Sequence, residues 1–194
     1  MIESHELERK LAARLQTMFK GDLIMEAALP LLGFFTLAVN YGWRAGELLG
    51  LKCEQVDLFG KGAIHLYDSK NGSPRSVPLI PETRPIVTQL MLGKSKDAYL
   101  LSATGKRLVG NSFRRKWNEA AVDVGLGRYT HGSCAGKIGA GHVCPECLRK
   151  IALDHLHYHG LIPHDMRRTA ARNMRRSGAS PTEIKAIGRW KTDR

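Results

Sequence analysis

Near the N-terminus, apolar residues recur at the spacing of a helix. Over the first twenty positions the apolar residues recur three or four apart with charged residues between them, at Leu7, Leu11, Leu15, Met18 and Phe19. This spacing places them on one face and predicts an amphipathic helix over residues 4–20. A nearly continuous apolar stretch predicts a second, mostly buried helix over roughly Pro30 to Tyr41. Gly42 interrupts it, and the helical pattern starts again over Arg44–Leu49.

After Gly62 the spacing of apolar residues changes from helical to alternating. Apolar residues at every second position flank a turn-forming segment, Ser69–Pro74, and they are Ile64, Leu66, Val77 and Leu79. The Asn71-Gly72 pair inside that segment tolerates the positive φ angles of a tight hairpin, which predicts an antiparallel strand pair. Pro78 cannot donate to a ladder, so it confines the second strand to a sheet edge or to a strand end.

Helices return in the second half of the chain. Helical spacing recurs in three stretches, over Arg84–Leu92, Asn111–Val124 and Asp165–Arg176. A capping Ser, a Pro and a Glu in the segment Ser180–Glu183 predict the start of one more helix. Residues 128–160 are instead rich in Gly, Cys and His, which predicts an insertion with its own organisation. We therefore predict an α+β fold, mainly α-helical with a small antiparallel β-sheet, in a single domain over residues 1–194.

Positive charge is concentrated in the second half of the chain. The 194 residues include 30 Lys and Arg against 18 Asp and Glu, a net charge of +12. Residues 1–100 contribute +1 of this charge and residues 101–194 contribute +11. Such an imbalance favours a polyanionic partner such as nucleic acid, although many basic proteins bind none.

The sequence contains neither a membrane-spanning stretch nor a secretory signal. The most apolar stretch, Ala27–Val39, contains Pro30 and falls short of the roughly 20 residues that a spanning helix needs. The N-terminus lacks the basic and apolar regions of a signal peptide. We therefore expect an intracellular protein. Its four cysteines are then expected to be thiols or metal ligands rather than disulfides.

Two segments in the first half carry residues suited to phosphodiester chemistry. Arg44 and Glu47 are three residues apart, so on a helix the carboxylate can orient the guanidinium toward phosphate oxygens. The alternative is an ordinary surface ion pair. Lys70 is placed at the predicted hairpin turn. There it is either a solvated loop residue or a proton donor to a leaving oxygen.

Two more segments lie near the C-terminus. His164 and Arg167 are three residues apart on the opening turn of a predicted helix, where free backbone N–H groups favour anions. The alternative is a helix cap followed by solvated basic residues. Trp190 is either a core residue or a donor of its indole N–H to a phosphate oxygen.

The order and spacing of these residues resemble the catalytic domain of the tyrosine recombinase (phage integrase) family, over most of residues 25–194 apart from the Cys/His segment. That family has a Gly-x-Arg-x-x-Glu-Leu motif, a lysine in a β-hairpin, a His-x-x-Arg motif and then a His or Trp. The matching residues are Arg44, Glu47, Lys70, His164, Arg167 and Trp190. The resemblance implies the catalytic-domain fold of DNA breaking-and-rejoining enzymes.

The resemblance also implies a reaction on double-stranded DNA. A tyrosine attacks the scissile phosphate and forms a 3′-phosphotyrosyl link, which is later rejoined. The matches imply that Arg44 and Arg167 neutralise the non-bridging oxygens, that His164 and Trp190 add hydrogen bonds, and that Lys70 protonates the departing 5′-oxygen. Such catalysis works by positioning and electrostatics, with no catalytic metal or nucleotide cofactor.

The resemblance further implies the setting of that reaction. Family members act as a synaptic tetramer of recombinase subunits on DNA, with no membrane, in the cytoplasm of a bacterial or phage-infected cell. Their nucleophile lies shortly after the His or Trp position, whereas all tyrosines of this chain precede Trp190, at Tyr41, Tyr67, Tyr99, Tyr129 and Tyr158. We therefore expect the nucleophile beyond Arg194 in a longer protein, or on a partner subunit. This chain is not expected to cleave DNA in cis.

The Cys/His segment suggests a metal site. Two pairs of potential ligands, each with two residues between its members, are His131 with Cys134 and Cys144 with Cys147. Two such turns can present four ligands tetrahedrally, which predicts a structural zinc ion within residues 128–160. Two alternatives stay open: His142 takes the place of His131, or the thiols are ordinary ones beside a His-rich loop.

The leading interpretation is the catalytic domain of a site-specific DNA recombinase or integrase. The first alternative is a non-catalytic DNA-binding module derived from an integrase. A third interpretation is another tyrosine-using DNA enzyme, such as a type IB topoisomerase or a telomere resolvase.

Overall fold

The computed structural model describes residues 22–67, 74–108, 110–132, 134–138 and 141–190. The predicted N-terminal helix and Lys70 lie outside these ranges. The chain divides into two compact units, described separately below. The larger unit comprises Met18–Leu108 and Pro163–Arg194, and the smaller unit comprises Met1–Thr17 and Val109–Ile162. The single domain over residues 1–194 stays a prediction.

The described residues form six α-helices and six β-strands. The helices are α1 (Asp22–Tyr41), α2 (Ala45–Leu49), α3 (Arg84–Met91), α4 (Gly110–Asp123), α5 (Pro163–Arg176) and α6 (Pro181–Gly188). The strands are β1 (Val56–Asp57), β2 (Ala63–Leu66), β3 (Arg75–Pro78), β4 (Gly127–His131), β5 (Cys134–Ile138) and β6 (His157–Gly160). The α+β class is therefore confirmed. None of the described helices is long and apolar enough to span a bilayer.

Helix α1 is the centre of the larger unit. It packs against α3 and α5, and Phe34, Leu37 and Ala38 on α1 are almost fully buried. The sequence predicted a helix starting near Pro30, but α1 begins at Asp22 and Pro30 lies inside it. An interior proline costs about 3 kcal/mol, so burial of the apolar helix outweighs that cost.

The antiparallel strand pair predicted on either side of Ser69–Pro74 is present. Strands β2 and β3 pair antiparallel, with Ile64 opposite Val77, and Pro78 ends the edge strand β3. Strand β1 adds to the other side of β2. Only two residues long, β1 was missed because no alternating pattern can show in so short a strand.

The smaller unit combines α4 with a second antiparallel sheet of order β5-β4-β6. One cluster of its buried residues consists of Tyr129, Ile138 and Cys144. The sequence predicted an organised insertion here but no second sheet, because a segment rich in Gly and His shows little of the apolar alternation that marks strands. On α4, Trp117 is buried and its indole N–H donates to the carbonyl of Leu161 at 2.8 Å.

Helix α6 begins as its sequence predicts. The Ser180 Oγ accepts a hydrogen bond from the backbone N–H of Glu183 at 3.3 Å, and Glu183 Oε2 accepts one from the backbone N–H of Ser180 at 2.8 Å. These reciprocal bonds form a capping box. Ile187 near the end of α6 accepts the indole N–H of Trp43 at 2.9 Å, which ties this helix to the segment that follows α1.

Candidate active site

Arg44 and Glu47 mark the start of α2. Arg44 precedes the first helical turn with an extended backbone (φ −70°, ψ 148°). Glu47 turns back so that its Oε2 accepts a hydrogen bond from the backbone N–H of Arg44 at 2.8 Å. The sequence predicted both residues on one helix face, whereas Arg44 caps the helix instead. The Arg-x-x-Glu spacing thus fixes the helix start and leaves the side chain of Arg44 53% exposed.

Arg167 joins three segments of the larger unit. It is buried on α5, where its Nη1 donates to the carbonyl of Gly42 and its Nη2 donates to the carbonyl of Arg189 at 3.3 Å. Its guanidinium carbon also lies 4.3 Å from the ring centroid of Trp190, a cation–π contact. These contacts hold the guanidinium in one place.

The indole ring of Trp190 fills the space above two glycines. A Cβ atom on Gly42 would lie 2.4 Å from the ring, and one on Gly188 would lie 1.6 Å from it. Gly42 also has a φ of +64°, a conformation that glycine adopts without steric cost. The glycine of the Gly-x-Arg motif is therefore required by its backbone and by the ring of Trp190.

One carboxylate oxygen faces three guanidinium groups. The Oε1 atom of Glu47 lies 3.8 Å from Nη1 of Arg44, 3.8 Å from Nη2 of Arg75 and 3.9 Å from Nη1 of Arg189. The side chain of Glu47 is only 10% exposed. The carboxylate of Glu47 therefore attracts three guanidinium groups at a position where water screens the charges poorly.

Arg75 and Arg189 were not among the predicted site residues. Arg75 lies on β3 opposite Leu66 and two residues before the buried Val77. Because alternate strand residues share a face, its position on the inner face could have been inferred from the hairpin pattern. For Arg189 the sequence offers no comparable signal.

The pKa values reflect the crowding of positive charge. Burial, together with the charges of Arg44 and Arg75, lowers the pKa of the Arg167 guanidinium to about 10, while the carboxylate of Glu47 opposes the change. Burial also lowers the pKa of Arg75, against the raising effect of Glu47 and with repulsion from Arg189 and Arg44. A bound anion would relieve both effects, so the cluster is suited to phosphate.

The two remaining predicted residues are placed differently. His164 is exposed on the first turn of α5, three residues before Arg167. Lys70 lies outside the described residues, in the connection between β2 and β3, whose adjoining ends pair Leu66 with Arg75. The described residues thus bring together Arg44, Glu47, Arg167 and Trp190, and they add Arg75 and Arg189.

The tyrosines are placed as follows. The hydroxyl of Tyr41 is buried, donates to the carbonyl of Pro78 at 3.0 Å and accepts from the N–H of Ile80 at 3.1 Å. Burial raises its pKa, and it also raises the pKa of Tyr129. Tyr67 is 61% exposed at the end of β2.

In the smaller unit, His131, Cys134, Cys144 and Cys147 come together. Their ligand atoms all lie within 4.8 Å of one another, and Cys147 Sγ is 3.5 Å from His131 Nε2. These four residues can hold a metal ion. His142 does not join them, because its ring packs edge-on against Tyr129 with the centroids 5.3 Å apart.

Two tight turns present these four ligands. His131 and Cys134 face each other across the β4–β5 connection. In the second turn, the N–H of Leu148 donates to the carbonyl of Cys144 at 2.8 Å, and the N–H of Cys144 donates to the carbonyl of Arg149 at 2.9 Å. Backbone N–H groups of Cys147 and Glu146 stabilise the thiolate of Cys144 and lower its pKa to about 6. A thiolate is the form that binds metals.

Comparison with known proteins places these features in a family. The model of the phage integrase family matches residues 7–194. A shufflon-specific DNA recombinase from Escherichia coli is 32% identical over 95 residues, which are 49% of this chain and 23% of that protein. The crystal structure of XerA recombinase matches with a TM-score of 0.60 and 19% identity, over 94% of this chain and 53% of that one.

A further structure, the XerH site-specific recombinase bound to difH substrate, matches with a TM-score of 0.61 and 14% identity, over 96% of this chain and 46% of that one. The chain therefore shares the fold of these recombinases and spans about half the length of the two solved structures. With nearly all of its residues matched by the family model, this chain belongs to the phage integrase family of tyrosine recombinases.

Proposed function

We propose that this chain carries the catalytic centre of a site-specific DNA recombinase or integrase. The observation that carries the proposal is a cluster in the larger unit: Glu47 pairs with Arg44, the charges of both act on Arg167, and Arg167 contacts the ring of Trp190. XerH, which shares the fold, was solved bound to its DNA substrate. This likeness supports double-stranded DNA as the partner here, and so does the net charge of +12.

The proposed catalysis is electrostatic. As the scissile phosphate is attacked, negative charge builds on its non-bridging oxygens, and preorganised positive groups lower that barrier. Arg167 is preorganised by two carbonyl acceptors and by the ring of Trp190. Arg44 is half exposed and can turn its fork onto the phosphate. Trp190 and His164 supply further hydrogen-bond donors.

In the covalent step, the oxygen of a tyrosine hydroxyl forms a bond to phosphorus, its proton passes to solvent water, and the bond between phosphorus and the 5′-oxygen breaks. We assign Lys70 as the acid that protonates the 5′-oxygen. The products are a 3′-phosphotyrosyl link and a free 5′-hydroxyl, and attack by a 5′-hydroxyl reverses the step.

We assign the nucleophile to a tyrosine beyond Arg194, acting in cis or from another subunit of a synaptic tetramer. Burial raises the pKa of Tyr41 and of Tyr129, which argues against these two residues as the nucleophile. The hydroxyl of Tyr41 is also enclosed by its own hydrogen-bond partners, so it cannot reach a phosphate in a DNA backbone.

We also propose that His131, Cys134, Cys144 and Cys147 hold a structural zinc ion. The donor set of three sulfurs and one imidazole suits zinc, and its ligand atoms, all within 4.8 Å of one another, are near enough to close on one ion with Zn–S bonds of about 2.3 Å. Four protein ligands leave no open position for a substrate. The ion would reinforce the small cluster of Tyr129, Ile138 and Cys144.

DNA binding tests the proposed recombinase function. Fluorescence anisotropy with a short labelled duplex should give a Kd that rises steeply with salt, since each phosphate contact adds about 0.9 to the logarithmic salt slope. The variant Arg44→Gln should lower that slope by about one contact. The variant Lys61→Gln is the matched control, because Lys61 lies before β2, at the end of the β2–β3 pair away from Arg75. A flat salt dependence, or equal slopes for both variants, would contradict the proposal.

A further inference from the structure

Arg75 is a largely buried cation, with its side chain 13% exposed, and it has unused hydrogen-bond donors. Among the described residues, its Nε and Nη2 atoms have no hydrogen-bond partner, although both are buried. The 3.8 Å separation from Glu47 Oε1 is an ion-pair distance but too long for a hydrogen bond. The guanidinium lies 5.8 Å from the ring centroid of Trp43. A buried group left in this way is destabilising, so an anion is the partner that its chemistry lacks.

The backbone of Arg189 has a conformation that is unfavourable for residues other than glycine. It follows α6 with φ 56° and ψ 47°, the left-handed region, which costs a non-glycine residue about 1 to 2 kcal/mol. Its carbonyl accepts from Arg167, but any residue, glycine included, would supply that carbonyl. The presence of arginine at a position that suits glycine therefore points to a use for its side chain.

The two arginines line one cavity. It has a volume of about 330 Å³, and its lining includes Glu47, Lys52, Tyr67, Arg75 and Arg189. The lining carries three cationic side chains, Lys52, Arg75 and Arg189, against the two carboxylates of Glu47 and Glu54, and Lys52 pairs with Glu54 at 3.6 Å. The cavity therefore has a net positive charge and room for a phosphodiester.

We propose that Arg75 and Arg189 form a second phosphate-binding position, which holds the DNA phosphodiester next to the one bound by Arg44 and Arg167. The two positions are adjacent because Arg44 and Arg189 approach the same oxygen of Glu47. This inference rests on the proposed function and deepens it. In this arrangement Glu47 lies between two phosphate positions. Binding of the second phosphate fixes the register of the DNA strand at the site.

A double-mutant cycle on the salt slope tests the second position. In the anisotropy assay with a labelled duplex, Arg189→Gly should lower the logarithmic slope by about one contact, as Arg44→Gln does. Because the two arginines bind different phosphates, the double variant should lose about two contacts. If Arg189 merely positioned Arg44, the double variant would have the slope of Arg44→Gln alone, and the proposal would be overturned.

Stability measurements separate binding from folding. Arg189→Gly removes backbone strain, so its thermal midpoint should equal or exceed that of the parent protein while its DNA affinity falls. For Arg75, Arg75→Met fills similar space without unused donors and should likewise lose one contact. An unchanged slope for Arg189→Gly beside a lowered slope for Arg44→Gln refutes the second position only. Unchanged slopes for both refute the proposed function as well.

Discussion

The indole ring of Trp190 lies directly against the backbone of Gly42, too close for a Cβ atom between them. Arg167 reinforces the same junction, since it donates to the carbonyl of Gly42 and stacks on the ring of Trp190. Two residues far apart in sequence thus define one surface. The motif glycine beside Arg44 is part of the site as much as the charged residues are.

Gly42→Ala should destabilise the protein strongly. The new Cβ would lie 2.4 Å from Trp190 on a backbone with φ +64°, so steric overlap adds to conformational strain. We expect the free energy of unfolding in urea to fall by about 2 to 4 kcal/mol.

Two control variants separate steric overlap from backbone strain as causes of the destabilisation by Gly42→Ala. Gly93→Ala has a similar φ of +70° with nothing within 4 Å, so it should cost only about 1 to 2 kcal/mol. Gly46→Ala lies in α2, also with nothing within 4 Å, and should be neutral or slightly stabilising. Equal costs for Gly42→Ala and Gly93→Ala would show that the ring of Trp190 does not press on Gly42.

Glu47→Gln should destabilise the arginine cluster. The amide oxygen keeps the hydrogen bond from the N–H of Arg44, but the charge that three guanidinium groups share is lost. We expect a loss of about 1 to 3 kcal/mol in chemical denaturation. The control Glu54→Gln breaks an exposed pair with Lys52 and should cost about 0.5 kcal/mol or less. Inorganic sulfate should restore part of the loss if repulsion causes it, and a lack of rescue would argue against this explanation.

Tyr41 should make stability depend on alkaline pH. Its burial raises its pKa above the value of 10.0 expected in the unfolded chain. Above that pH the unfolded state therefore binds fewer protons than the folded state, and stability falls as pH rises. Tyr41→Phe should cost about 1 kcal/mol at neutral pH through lost hydrogen bonds. That difference from the parent protein should shrink above pH 10 in urea titrations.

The exposed Tyr67 is the control for the lost hydrogen bonds of Tyr41. Because its side chain is 61% exposed, Tyr67→Phe should change the free energy of unfolding at neutral pH by about 0.5 kcal/mol or less. If Tyr41→Phe keeps the full alkaline dependence of the parent protein, the buried hydroxyl of Tyr41 is not its source.

Metal removal should weaken the smaller unit. Elemental analysis of the purified protein should find about one zinc per chain, and a chelator should lower the thermal midpoint because zinc binds only the folded ligand set. Cys147→Ser should abolish zinc binding. Cys53→Ser, whose thiol is buried in the larger unit and is not one of the four ligands, should retain it. A metal-free protein with an unchanged thermal midpoint would rule out the site.

Local patterns predicted the elements well and the cluster only in part. The α3, α4 and α6 helices and the β2–β3 hairpin follow from apolar spacing and caps that act within a few residues. Motif spacing also predicted that Arg44, Glu47, Arg167 and Trp190 serve one site. The structure brings these four together, although Arg44 caps α2 rather than lying on it.

What the sequence missed depends on distant contacts. The role of Gly42 requires the ring of Trp190, and the position of Arg189 near Glu47 follows from the left-handed turn after α6. Neither contact produces a periodic pattern of residues in the sequence. The choice of His131 over His142 is similar, since the spacing allows both and only the packing of His142 on Tyr129 decides between them.

Covalent capture on DNA tests the central claim most directly. The protein extended by the residues encoded beyond Arg194 should be mixed with nicked duplexes of random sequence, in which loss of the short 5′-hydroxyl fragment prevents rejoining. We predict a denaturation-resistant adduct that joins a tyrosine to a 3′-phosphate. Arg167→Lys should reduce it by about 100-fold or more, as expected for loss of a transition-state contact. An extended protein that binds these duplexes but forms no adduct, even with added partner subunits, would contradict the account and identify a DNA-binding module instead.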